Sequence, residues 1–551
     1  MKNSASDQCF FIDSDNDEER ELGREVNDGN VSDFSNDSND NLYQRKPSSY
    51  SMAWPQSYRQ SIDLYGTVPS PNIGFLGTTA TTSLTRLGSS FLGTTLTRRN
   101  TAEIIPPIKK PLIQPAVDEE QQHISQTLLP PLPSRKSSVR KSLKISHEVQ
   151  IPGQCSFGQA VLNGMNALCG VGILSIPYAL HEGGWAALGI LLIFAVFSFY
   201  TGLLLRYCLD SEPGLETYPD IGQAAFGTTG RVVISIILYM ELYACCIEYI
   251  ILESDNLSSL FPDASLSLGG FKLNAHILFA ILATLAILPT VWLRDLRILS
   301  YISGCGVVAS AVVVLCLVWV GVVDDTPIST KGTTTLKLST FPVAMGLCGY
   351  CFSGHAVFPN LYTAMANRNQ FPAVLLTCFA ICTSMYCLVA ALGYLMFGED
   401  TQSQYTLNMP RGLIAYKIAV WTTMKNGCCF LIRSTYALSL TPVAMSVEEL
   451  IPPSNSKFTL YSILIRTALV ISTLLVGLSV PFFGLVMSLI GSLLTMFVSL
   501  ILPAACFLSI KRRRITRSQV ILCGTVIVVG LVSSGFGSYS AISEIIAELF
   551  P

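Results

Sequence analysis

The chain has 551 residues, 50% hydrophobic and 13% charged, with a mean hydropathy of +0.48, whereas an ordinary soluble domain carries roughly 25% charged residues. Water therefore cannot be the solvent for most of it. A net charge of -2 is silent about nucleic acid, no stripe of basic and aromatic side chains supports such a partner, and the 17 cysteines lie mostly inside apolar stretches without zinc-ligand spacing, so neither metal nor cofactor is expected.

The opening MKNSASDQCFFIDSDNDEERE has no basic segment leading into an apolar one, so no cleavable signal peptide is expected. Residues 1–150 are rich first in Asp, Glu, Asn and Ser, then in Ser, Thr and Gly, then in Pro, with no helical or strand period. They read as a disordered polar cytoplasmic tail, which contributes no core and whose deletion is expected to spare transport. Just ahead of the first apolar block, RKSSVRKSLK (135–144) is either a topology signal or a basic patch for anionic lipid, with Ser137, Ser138 and Ser142 open to a kinase.

Residues 151–551 read as a transmembrane domain. At about 20 apolar residues per crossing, spans fall at 156–180, 185–207, 231–252, 274–292, 298–323, 341–364, 371–397, 414–446, 460–479, 482–509 and 518–541. This is an all-α polytopic membrane protein of eleven helices. Arg294, Arg297, Arg368, Lys457 and the run Lys511, Arg512, Arg513, Arg514, Arg517 then share one side, leaving Lys272, Lys331, Lys337 and Arg411 on the other. The positive-inside rule puts the amino terminus in the cytoplasm and the carboxyl terminus in a lumen or outside the cell. A sequon at Asn256-Leu257-Ser258 would face that lumen, close to the membrane, whereas those at Asn30 and Asn36 stay unmodified in the cytoplasm.

Two spans are interrupted at matching places. The first reads NALCGVGILSIPYAL, with Gly170, Gly172 and Pro177; the sixth reads GLCGYCFSGHAVFPNLY, with Gly349, Gly354 and Pro359. Glycine costs about 1 kcal/mol and proline about 3 kcal/mol within a helix, so the repetition needs a reason. One is close packing through small residues. The other is a central site of unwound backbone, since spans one and six are corresponding positions of two five-span repeats. In that reading, Asn166, Gly170, Val171, Gly172 and Ile173 offer N–H groups and a positive helix end to a carboxylate. Tyr350, Ser353 and Gly354 offer carbonyls to an ammonium, so the pair suits a zwitterion. In the third span, Glu241 and Glu248 are seven residues apart and fall on nearly one helix face. They are candidates for proton coupling, or one or both sit near an interface with water and serve only packing and structure. His355, in the break of the sixth span, either gates or titrates, or is a structural histidine bonded to a freed carbonyl.

With GVGILSIPYAL, YMELYACCIEYIILESDNL, SGHAVFPNLY and TPVAMSVEELIP in that order, residues 150–551 resemble the amino acid/auxin permease family, and within it the plant vacuolar amino acid transporter group. The resemblance implies eleven spans, a five-plus-five inverted repeat with discontinuous helices one and six plus one extra helix, and proton-coupled amino acid transport at a vacuolar membrane. The chain departs from the family pattern at TTMKNGCCFLIRSTYAL, where Lys425 and Arg433 interrupt an apolar stretch. They either line a cavity or mark a misjudged exon boundary over 424–434. A membrane enzyme is not expected, because no H-E-x-x-H or G-x-S-x-G occurs. The rival is an amino acid sensor that binds without transporting.

Overall fold

In the computed structural model the described residues are Trp54 and Pro55 and the chain from Cys155 to Phe550, apart from 269–270, 293–296, 324–331, 411, 425–427 and 452–457. Lys425, Ser137, Ser138, Ser142, Asn30 and Asn36 lie outside them, as do the rest of the tail and the side chain of Arg433.

Beyond Cys155 the chain is almost wholly helical. The first span is two helices, α1 (Phe157–Leu168) and α2 (Gly172–Gly183), bent by 48° at the break. Then follow α3 (Ala186–Leu209) and α4 (Tyr218–Leu260). The 43 residues of α4 would span about 65 Å if straight, twice the roughly 30 Å of a hydrocarbon core. Gly227, at φ +69°, is where the chain turns, so the membrane crossing begins near Arg231 as the hydropathy pattern expects. A short hairpin of β1 (Leu266–Leu268) and β2 (Phe271–Leu273) pairs antiparallel and leads to α5 (Ala275–Trp292) and α6 (Arg297–Val323).

The sixth span is also interrupted: α7 (Phe341–Tyr350), a 3-10 turn at Gly354–Ala356, then α8 (Phe358–Ala364). Helix α9 (Phe371–Phe397) and the short α10 (Tyr405–Asn408) follow. The expected eighth span is occupied by α11 (Ile414–Met424) and α12 (Cys428–Glu448). Helix α13 covers Phe458–Ser479. The tenth span runs as α14 (Phe483–Ile490), two π-helical segments at Gly491–Thr495 and Phe497–Ile501, and α15 (Leu502–Ile510). Helix α16 is Arg517–Leu549. Among the described residues, nine helices are long and apolar enough to cross a bilayer, and the bent pair α1–α2 makes a tenth.

Burial runs opposite to that of a water-soluble bundle. Val196, Leu315, Trp319 and Ile521 are each more than half exposed, while Ser198, Thr201, Ser488, Ser492 and Thr495 are buried. Apolar surface on that scale is stable in lipid, and buried hydroxyls are satisfied locally: Ser488 Oγ donates to the Val343 carbonyl at 2.9 Å. Capping boxes at Ser156, Thr217 and Thr516 start α1, α4 and α16, each satisfying two backbone donors. The starts of α1 and α4 share one face of the bundle, two crossings apart, and the short link from α15 into α16 lies there too, Phe507 packing on Tyr207 at the end of α3. We call it the near face.

Close backbone approach joins the sixth span to the tenth. A Cβ on Gly491 would sit 2.0 Å from the Gly346 carbonyl oxygen, and one on Gly349 would sit 2.1 Å from Met496 Cε. Gly349 is therefore a packing glycine. Pro177, inside α2, rests where Gly393 of α9 has no side chain; a Cβ there would meet its ring at 2.6 Å.

Candidate substrate and coupling site

The two breaks face each other. Gly172, the first residue of α2, would place a Cβ 3.3 Å from Cys351 Sγ and 3.4 Å from Tyr350 Cδ1, and Gly354 would place one 3.1 Å from Leu168 Cδ2. Each interruption thus has the other as its neighbour. Gly170 differs, because a Cβ there meets nothing within 4 Å. Val171, as N-cap of α2, makes no side-chain cap bond, and Ile173 is buried. On the other side of the junction, the Tyr350 carbonyl accepts from Ser353 N at 3.2 Å and that of Gly349 from Phe352 N at 3.1 Å. Two carbonyls are thereby taken up by a tight turn. Ser353 is half-buried and makes no cap bond to the turn that follows.

The acidic pair of the third span reaches this junction through one member. Tyr350, at the end of α7, donates its hydroxyl to Glu248 Oε2 at 2.6 Å. Glu248 Oε1 is buried with no hydrogen-bond partner among the described residues. Glu241, two turns earlier, instead accepts from Thr495 Oγ1 at 3.0 Å, in the first π-helical segment of the tenth span. Both carboxylates are buried, so neither lies open to water. The pair ties α4 to the break on one side and to the tenth span on the other.

His355 is placed elsewhere. Its Nε2 lies 3.1 Å from the Ser198 carbonyl and 3.0 Å from Thr201 Oγ1, both on α3. A carbonyl only accepts, so Nε2 carries the proton toward Ser198. The ring packs on Phe358 at 4.8 Å between centroids. Asn166 lies within α1, half-buried.

The near face is closed around the junction. Cys155 N donates to the Ala364 carbonyl and Ala366 N to the Cys155 carbonyl, both at 3.1 Å, so the start of the first span is laced to the end of the sixth. Tyr362 donates to Asp210 at 2.5 Å. On the opposite face a cavity of about 590 Å³ opens, lined by Tyr178, Asp255, Ser258, Ser403, Phe482 and Glu548 among others. Asp255 there is held by His276 at 3.2 Å and by Gln404 at 3.0 Å.

A family model described as "Transmembrane amino acid transporter protein" matches residues 153–543. The chain belongs to the transmembrane amino acid transporter family. This transporter is similar along its whole length to two proteins of Arabidopsis thaliana. One is named "Amino acid transporter AVT1C", 62% identical over 100% of both chains, and the other "Amino acid transporter AVT1B", 59% identical over 100% of both. A third, "Amino acid transporter AVT1D", is 46% identical over 96% of this chain and 90% of its own. Its place is therefore among the multi-pass amino acid transporters of the group that the motifs resemble, and not among enzymes.

Several site-building residues of the transporter are silent in its sequence. Thr495 has no motif and is brought to Glu241 by π-helical geometry. Asp220 and Arg231, 2.6 Å apart and both buried, meet because Gly227 folds α4 back on itself. Glu448, in the SVEELIP motif, accepts from Arg466 Nε and from Ser462 Oγ at 2.7 Å each, while Arg466 also donates to the Val291 carbonyl at 2.9 Å. Asn256 of the sequon is buried, with Nδ2 donating to the Leu252 carbonyl at 2.8 Å and to Gln404 at 2.9 Å. That nitrogen cannot accept a glycan without leaving its buried site and losing at least one of these bonds.

Proposed function

We propose that this protein moves amino acids across the vacuolar membrane by proton-coupled alternating access, through eleven spans arranged as a five-plus-five inverted repeat plus one helix. The hydrogen bond from Tyr350 to Glu248 carries the reading, because it links a buried carboxylate to the break in the sixth span. A zwitterion's carboxylate would meet the uncapped start of α2 at Gly170, Val171, Gly172 and Ile173, near Asn166. Its ammonium would meet the turn at the Ser353 carbonyl and at the second lone pairs of the Tyr350 and Gly354 carbonyls, whose first accept from Ser353 N and Val357 N. Proton binding at Glu248 would then be sensed where the substrate sits, with Glu241 two turns away on the same helix; His355, whose Nε2 is held by α3, would hold the turn in place. The closed near face and the cavity on the opposite face suit one state of an alternating cycle. With the amino terminus in the cytoplasm, that cavity faces the lumen.

The test is reconstitution of the full chain into liposomes, with a panel of labelled amino acids, a pH gradient of either sign, and sodium present or absent. Accumulation driven by the pH gradient supports the proposal, and the productive sign separates symport from antiport. Accumulation that requires sodium and ignores the pH gradient overturns proton coupling. Saturable binding with no driven movement of any amino acid replaces the transporter with a sensor.

A further inference from the structure

Between α15 and the first turn of α16 the chain reads KRRRITR, from Lys511 to Arg517, five cations in seven residues. Arg512, Arg513, Arg514 and Arg517 are exposed and Lys511 is half-buried. None of the five forms an ion pair with a carboxylate of the described residues. Acids of the same face are already engaged: Asp210 with Arg206 and Tyr362, Asp220 with Arg231, and Glu448 with Arg466. Five like charges are therefore held together without a protein counter-charge beside them, an arrangement that attracts a polyanion.

The link is fixed at both ends. Lys511 N donates to the Phe507 carbonyl at 3.0 Å and Arg514 N to the Lys511 carbonyl at 2.8 Å, so the three consecutive arginines sit on a tight turn. Ser509 Oγ donates to the Ala225 carbonyl at 2.7 Å, and Phe507 packs on Tyr207 with ring centroids 6.3 Å apart, which holds the end of α15 against α4 and the end of α3. The Thr516 capping box sets the start of α16. From there Arg517 heads a helix face on which Ile521, Val528 and Val532 follow four, eleven and fifteen residues on, one stripe at 3.6 residues per turn. All three are exposed. Cations at the head of an exposed apolar stripe match the two halves of a phospholipid, its headgroup and its acyl chain.

We infer that the link from Lys511 to Arg517 is a binding site for an anionic phospholipid of the leaflet at the near face, one whose headgroup carries a phosphomonoester. Guanidinium groups grip phosphate through paired N–H donors, whereas an ammonium acts as a point charge, and four of the five cations are arginine. A topology signal needs charge alone and is served equally by lysine. The acidic stretch 1–40 of this chain would match the charge, but a soluble peptide leaves the apolar stripe uncovered, while an acyl chain covers it. The lipid is then a ligand of the transporter, held between its last two crossings.

The full-length protein is purified in a neutral detergent and mixed with a monophosphorylated phosphatidylinositol, with phosphatidylcholine, or with the soluble headgroup of the first, and retained ligand is counted by native mass spectrometry. The phosphorylated lipid is expected to be retained about tenfold or more above phosphatidylcholine, by a margin that falls with added salt. A basic residue at an anionic lipid surface is worth about fivefold, so Arg512→Gln, Arg513→Gln and Arg514→Gln together are expected to lower retention at least roughly tenfold. The same three positions changed to lysine keep the topology signal, and that variant is expected to insert normally and retain an intermediate amount. If the glutamine variant does not insert, the lysine variant decides, and retention equal to the wild type's then overturns the site. Equal retention of both lipids by the wild type overturns it, as does undiminished retention by the glutamine variant. Soluble headgroup bound as tightly as the lipid makes this a free-phosphate site and overturns the lipid. Carbodiimide crosslinks from Lys511 to carboxylates of residues 1–40 that persist with the lipid present make the tail the occupant, with the same consequence. None of these readouts uses transport, so failure of the Proposed function leaves the site standing.

Discussion

Replacing Gly172 with valine tests the junction of the two breaks most directly. Its Cβ would stand 3.3 Å from Cys351 Sγ, 3.4 Å from Tyr350 Cδ1 and 3.5 Å from Cys351 Cα, already inside or at the edge of ordinary contact, and valine adds two methyls beyond that. Overpacking of a well-filled site costs about 1–3 kcal/mol. Charged to the conformation in which the breaks meet, that lowers uptake by roughly five- to 150-fold. Gly172→Ala adds the Cβ alone and gains up to about 1 kcal/mol of helix propensity, so its effect is expected to be small. Gly170→Ala, with nothing within 4 Å of its Cβ, is expected to leave the melting temperature unchanged. Adding Cys351→Ala to Gly172→Val removes the nearest atom and should recover at least about 0.5 kcal/mol as coupling in a double-mutant cycle. Uptake in proteoliposomes, normalised to inserted protein, and thermal stability in detergent provide the readouts. Wild-type uptake by Gly172→Val, or a double variant no better than the single one, would refute the claim that the breaks must fit together.

Three other outcomes follow from the same geometry. Glu241→Gln is expected to change the pH dependence of uptake, because a carboxamide keeps the size and the contact with Thr495 but cannot carry a proton; an unchanged profile assigns Glu241 a structural role. Tyr350→Phe removes the donor to Glu248, a bond of about 1.5–3 kcal/mol if the acceptor is charged, and is expected to reduce uptake at least roughly tenfold. Combined with Glu248→Leu, which leaves nothing to accept the hydroxyl, it should cost no more than Glu248→Leu alone, and additive losses measured in the same assay would show that the two residues act separately. Arg466→Met strands the buried Glu448 carboxylate and is expected to cost about 3–5 kcal/mol, whereas Arg466→Met with Glu448→Leu should recover most of it. Differential scanning fluorimetry reads both.

What was legible in the sequence was whatever depends on solvent and on local backbone chemistry. Runs of about 20 apolar residues announced the spans, since lipid accepts nothing else as a crossing segment. Glycine and proline at 170, 172 and 177, and again at 349, 354 and 359, announced both breaks, because the cost of those residues is local. The order of GVGILSIPYAL, SGHAVFPNLY and TPVAMSVEELIP announced the family. Three things were decided by tertiary structure, because each depends on which distant groups are brought within about 3 Å. Gly349 is a packing glycine while Gly172 and Gly354 face the opposite break, a distinction that depends on Met496, Cys351 and Leu168. Glu248 joins the junction of the two breaks through Tyr350 while Glu241, on the same helix face, goes to Thr495. And Trp54, in a stretch whose composition promises no core, finds the Ser446 carbonyl, the Arg231 guanidinium and the Tyr239 ring, which come together once α4 and α12 are packed.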